Sequence, residues 1–176
     1  MAIREKSLGP HHPSVATSLN GLAQSLRLQN QPLRLEPLYL RALAIRERSL
    51  GAEHPDVAVS LDSLAEIQRD RGRFEEAEKL YRRALAIREN KLGPAHPEVA
   101  QSLKGLAETS FRQRRYSDSE ALCRRALLIM ERSLGPDHPE LATALKGYGL
   151  VLRKLKRKTE ALEMETRGKA LMAGGR

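Results

Sequence analysis

KLGPAHPEVAQSL, residues 91–103, returns as SLGPDHPELATAL at residues 133–145. Its core, LGxxHP, stands at Leu8–Pro13, Leu50–Pro55, Leu92–Pro97 and Leu134–Pro139, each 42 residues from the next. Alanines follow in one register (Ala16, Ala58, Ala100, Ala142) and leucines in another (Leu19, Leu61, Leu103, Leu145). A fixed period of this length marks an array of stacked supersecondary units, so the fold question reduces to what one unit is.

The unit from Pro55 to Gly93 reads as two helices. Pro55 presets the first helical turn at a position whose N–H needs no partner, and Asp56 puts negative charge at the positive end of the dipole. Val57, Ala58, Leu61, Leu64 and Ala65 then recur three or four apart on one face, predicting a helix to about Arg71, with Gly72 in the turn. A second helix is predicted from about Phe74 to about Lys91, burying Ala77, Leu80, Tyr81, Ala84, Leu85 and Ile87. Gly93 suits a left-handed residue past the helix end, and Pro94 blocks continuation.

LGxxHP is therefore a helix stop followed by a helix start. Its histidines, His12, His54, His96 and His138, fall on successive repeats about 10 Å apart at normal interhelical spacing. That is too far for one metal ion with bonds near 2 Å, so a loop role in packing or hydrogen bonding is expected. In the first repeat, Pro37 places the start of the second helix near Leu35 or Glu36, because proline is tolerated only in a first turn.

Composition narrows the function classes. The 176 residues include one cysteine, Cys123, which excludes an internal disulfide and suits a reducing compartment. Cys123 stands in the register of Tyr81, so a buried packing role is expected. No window approaches the roughly 18 apolar residues of a membrane span, and MAIREKSLG lacks a signal-peptide core, so a cytoplasmic chain with no membrane partner is expected. Phosphate-loop, HExxH, CxxC and nucleophile-elbow motifs are absent, and helix-start carboxylates such as Glu75, Glu76, Asp118 and Glu160 are explained by the dipole. No catalytic residue, cofactor or metal site is expected. The net charge of +9 implies attraction to acidic partners.

With Leu61, Leu64, Ala65, Gly72, Ala77, Tyr81 and Ala84 in register, the unit resembles the tetratricopeptide repeat. The 42-residue period and RALAIRE at Arg41–Glu47 and Arg83–Glu89 resemble the long-helix type of kinesin light chains and nephrocystins. The resemblance implies an all-α fold, a right-handed α-solenoid of stacked helix-turn-helix repeats, acting as a protein-interaction scaffold. Repeats are assigned to 13–51, 55–93, 97–135 and 139–172 within a single array. Residues 1–9 align with the end of a further repeat's second helix, and 173–176 form a frayed tail. In the last helix Glu165 replaces the repeat tyrosine, Gly168 the alanine and Lys169 the leucine, as expected of a capping helix.

The resemblance further implies that the first helix of each pair lines a concave, peptide-binding groove. At the corresponding offsets stand Asn20, Gln24 and Arg27 in repeat 1, and Asp62, Glu66 and Arg69 in repeat 2. Repeat 3 supplies Lys104, Glu108, Phe111 and Arg112, and repeat 4 supplies Lys146, Leu150, Arg153 and Lys154. The groove thus turns basic, with Phe111 and Leu150 as apolar contacts, which suits a peptide carrying acidic residues around an apolar anchor. Electrostatic nucleic-acid binding is the alternative, weakened by a count of two Phe, four Tyr and no Trp, which leaves few platforms for base stacking. RKLKRK, residues 153–158, is read equally as a contact patch or as a solubilising cap. Self-association through an apolar face of the first repeat is the remaining alternative.

Overall fold

The computed structural model describes residues 9–29 and 34–174. Among them there are helices and turns and no strand. The helices are α1 (Pro13–Leu28), α2 (Leu35–Leu50), α3 (Pro55–Asp70), α4 (Phe74–Leu92), α5 (Pro97–Arg112), α6 (Tyr116–Leu134), α7 (Leu141–Lys154) and α8 (Lys158–Gly174). They fall into two compact units, Met1–Lys91 and Leu92–Arg176. Residues 1–8, assigned from the sequence to a preceding helix, lie outside the described residues, as do 175 and 176. Helix α8 extends through Ala173 and Gly174, two residues into the stretch expected to fray.

Each LGxxHP element does two separable jobs. Gly51 (φ 90°, ψ 152°) and Gly135 (φ 89°, ψ 154°) end α2 and α6 with positive φ but extended ψ, rather than in the left-handed helical region expected. That region is closed to side chains, which accounts for glycine at both places, and Gly9 and Gly93 share the positive φ. The histidine then caps the next helix: Nδ1 of His12, His54, His96 and His138 accepts a hydrogen bond from the N–H two residues on, at 3.1–3.2 Å. An Nδ1 acceptor implies that the proton sits on Nε2, and it satisfies one of the orphan donors at a helix start. Helix α7 differs only in starting at Leu141, because the Ala142 N–H bonds Pro139 O at 3.0 Å and tightens the first turn.

The turns inside the second, third and fourth pairs each use a residue of positive φ. Gly72 (φ 77°) fills this place in repeat 2, whereas Arg114 (φ 62°) and Lys156 (φ 63°) hold the same register in repeats 3 and 4. Glycine at this place is a convenience rather than a requirement, since left-handed φ costs an ordinary residue about 1–2 kcal/mol.

In the first unit Val15, Ala16 and Leu19 of α1 pack on Ala42 and Ile45 of α2. Val57, Ala58 and Leu61 of α3 pack in the same way on Ala84 and Ile87 of α4. A further cluster joins α1, α2 and α3 through Ala23, Leu26, Leu35, Tyr39, Leu64 and Ile67. In the second unit Leu127 of α6, the α7 face Leu141, Leu145, Tyr148 and Leu152, and Ala161 of α8 form one cluster. Full burial of a leucine- or valine-sized side chain contributes roughly 1.5–3 kcal/mol, so these registers hold the stack together. Buried Arg46 donates to Ser60 Oγ at 2.6 Å, and desolvation holds its pKa below the usual arginine value.

Candidate functional site

The second unit carries a cleft of about 340 Å³ between α5, α6 and α7. Helix α5 contributes Lys104, Ala107, Glu108, Phe111 and Arg112. Helix α6 supplies the floor with Ser119, Cys123 and Ala126, and α7 closes the far wall with Thr143, Ala144, Gly147, Leu150 and Val151. The interior is therefore mostly hydrocarbon, with cations at its edge. Phe111 is fixed by an edge-to-face contact with Tyr116, ring centroids 5.5 Å apart. Ser119 Oγ donates to Ala107 O at 2.8 Å, tying α6 to α5 beneath the cleft. Burial pushes the Cys123 thiol up to about 11, so it stays protonated and acts as a small apolar wall.

Of the residues singled out from the sequence, Lys104, Glu108, Phe111, Arg112 and Leu150 line this cleft. Lys104 Nζ donates to Gln101 Oε1 at 3.3 Å, and Arg112 lies 3.5 Å from the Glu108 carboxylate with both side chains exposed. Lys146 and Lys154 lie exposed on α7 with no ion pair among the described residues. Arg153 is instead taken up by Glu165 of α8, through two bonds of 2.6 Å that hold the carboxyl below its usual range. In RKLKRK, Arg157 is likewise held by Glu120 at 2.8 Å and by Glu160 at 2.6 Å. Two of the run's cations, Arg153 and Arg157, are thus paired within the unit.

The first unit closes its charges on itself. Arg27 meets Glu66 at 2.6 Å and Asp70 at 3.8 Å, while Arg69 contacts Asp70 at 3.2 Å and donates to the Tyr81 hydroxyl at 3.3 Å. Asp62 pairs with Arg88, whose side chain is 4% exposed. Gln24 is exposed, and the Oδ1 of Asn20 is buried with no hydrogen-bond partner among the described residues. The contrast follows from the register. Met130 stands where Arg46 and Arg88 stand in the first unit, so Lys104, in the register of Asp62, faces no arginine there.

The cleft floor on α6 lies outside the concave positions that the repeat resemblance implies, which are all on the first helix of a pair. The available signal was Cys123 itself, a small residue in a tyrosine register. Among the described residues no group of three or more His, Cys, Asp or Glu is placed to hold a metal ion. No helix among them is long and apolar enough to cross a membrane.

The tetratricopeptide repeat profile matches residues 35–90, 63–117 and 98–172, and so most of the chain. The chain belongs to the tetratricopeptide repeat family. Solved structures share its fold. BtubC (BKLC) from P. vanneervenii is 21% identical with a TM-score of 0.84, the match covering 98% of this chain and 69% of that one. A kinesin light chain-like protein of Podosopora anserina with nearly identical TPR-like repeats is 24% identical with a TM-score of 0.74, covering 99% and 83%. The apo form of RapI is 17% identical with a TM-score of 0.79, covering 92% and 57%. No curated protein matches the sequence. Tetratricopeptide repeats are interaction scaffolds, and this repeat chain is an all-α solenoid protein of that class.

Proposed function

We propose that this tetratricopeptide repeat chain is a non-catalytic, cytoplasmic scaffold that holds a peptide segment of a partner protein at the cleft of its second unit. The segment places an apolar side chain in the cleft and acidic residues over Lys104, Arg112, Lys146 and Lys154. The observation that carries this is the pairing of an apolar cleft with cations whose charge is not consumed by buried ion pairs. In the first unit Arg27, Arg69 and Arg88 are bound to Glu66, Asp70 and Asp62, so its face offers less net charge to a partner. Apolar anchors supply most of the affinity of such contacts, and charge supplies steering and selectivity.

The test is fluorescence anisotropy with synthetic peptides carrying one apolar residue flanked by Asp and Glu. The variant Lys104→Glu, Arg112→Glu, Lys146→Glu abolishes binding while its circular dichroism stays helical, and wild-type affinity falls with salt as screening shortens to about 8 Å at 0.15 M. Unchanged affinity in the variant removes the cleft from the account. A preference for an oligonucleotide over the peptides, or a dimer that forms without either, transfers the function to those partners.

A further inference from the structure

The cleft lies at a definable place in the repeat. In the first unit the same place is filled by the chain itself: Tyr39 of α2 packs among Ala23, Leu26, Leu35, Leu64 and Ile67 in one buried cluster. Two repeat lengths on, these positions are Cys123, Ala107, Ser110, Ser119, Tyr148 and Val151. Four of the six have shrunk, Tyr to Cys, two Leu to Ser and Ile to Val, while Leu64 has become Tyr148, which packs away from the cleft in the buried cluster of α6, α7 and α8; Ala107, Ser119, Cys123 and Val151 line the cleft. Ser110 and Ser119 remain buried, and the cleft opens where the larger side chains of the first unit would stand.

The mouth has changed in step. The Tyr39 hydroxyl is hydrogen-bonded to Ser63 and sits in the fields of Arg27 and Glu66. Their counterparts in the second unit are Gly147, Phe111 and Leu150, all at the cleft. Every group that served a phenol oxygen has been replaced by hydrocarbon or by nothing. On the floor, the Ser119 hydroxyl is already given to Ala107 O.

We infer that the cleft is a vacated core position, made by Cys123 in place of the repeat tyrosine, and that a phenylalanine of the partner segment restores the missing ring. This rests on the peptide-binding reading and adds to it the identity of the anchor and the residue that admits it. Phe111 offers its ring to the incoming one, a geometry that aromatic pairs favour beyond simple area burial. Lys104 and Arg112 at the edge meet acidic residues on either side of that phenylalanine.

The experiment compares the wild-type chain with Cys123→Tyr, which puts back the ring found at Tyr39 and Tyr81. Toluene titrated into the labelled wild type should shift NMR signals of Ala107, Ala126 and Val151 and leave those of Cys123→Tyr unmoved. The melting temperature of Cys123→Tyr should equal or exceed that of the wild type. An acidic peptide with a central phenylalanine should bind the wild type at least tenfold more tightly than its alanine analogue, and should lose that advantage on Cys123→Tyr. Cys123→Ala, which leaves the space open, should keep it. Absent or dispersed toluene shifts, or a marked fall in melting temperature for Cys123→Tyr, overturn the vacated position itself. Equal binding of the two peptides by the wild type, or undiminished discrimination by Cys123→Tyr, overturns the phenylalanine assignment while the peptide function stands. If neither peptide binds although toluene enters the cleft, the peptide function fails and the assignment fails with it.

Discussion

Replacing His54 by alanine removes the Nδ1 that accepts from the Asp56 N–H at 3.1 Å and leaves that donor to water. Loss of a side-chain N-cap costs about 1 kcal/mol, within a range of roughly 0.5–2. In a chain of this length 1 kcal/mol lowers the melting temperature by about 2–4 °C. The same bond recurs at His12, His96 and His138, so four alanines together cost roughly 4 kcal/mol, a large share of the 5–15 kcal/mol that a folded chain commands. Two controls separate the bond from the bulk of the ring. His54→Asp keeps an acceptor and adds favourable charge at the helix start, so it should match or exceed the wild type. His54→Phe keeps a ring without an acceptor and should resemble His54→Ala. Urea and thermal unfolding followed by circular dichroism read all three. A His54→Ala midpoint indistinguishable from wild type, or a His54→Asp as unstable as His54→Phe, refutes the capping role.

Three further outcomes follow from the geometry. Arg114→Gly and Lys156→Gly should each raise stability by about 0.5–1 kcal/mol, because the relief of left-handed strain exceeds glycine's added chain entropy; thermal unfolding checks the sign. A Cβ added at Gly149 would lie 3.0 Å from Glu165 Cγ and 3.3 Å from Ala161 O, so Gly149→Ala should cost about 1–3 kcal/mol and loosen the Arg153–Glu165 pair, while adding Glu165→Ala should recover part of the loss. The Arg71 guanidinium, helped by Gln68 and Arg73, holds the Glu36 carboxyl below the usual glutamate range against the opposing effect of burial. A lowered folded-state pKa stabilises the fold above the ordinary value near 4.3 and loses that contribution as pH falls through the lowered one, so Glu36→Gln should flatten the acid limb of a stability–pH profile.

The 42-residue register was enough to fix the helical pairs, because small and apolar residues at constant offsets have one consistent arrangement, with their shared faces turned inward. The Gly and Pro of LGxxHP punctuated it, and Pro37 put the start of α2 near Leu35 or Glu36, where the helix does begin, at Leu35. The sequence also showed where the basic residues concentrate. Which of those charges stay available was settled only by tertiary structure, since a guanidinium is spent or spared by what folds against it. Arg153 is held by Glu165, 12 residues on across a helix turn, while Lys146 on the same helix has no such partner among the described residues. The cleft is likewise a tertiary property. Ala107, Ser119, Cys123 and Val151 are ordinary residues one by one, and they line one cavity because α5, α6 and α7 bring them together.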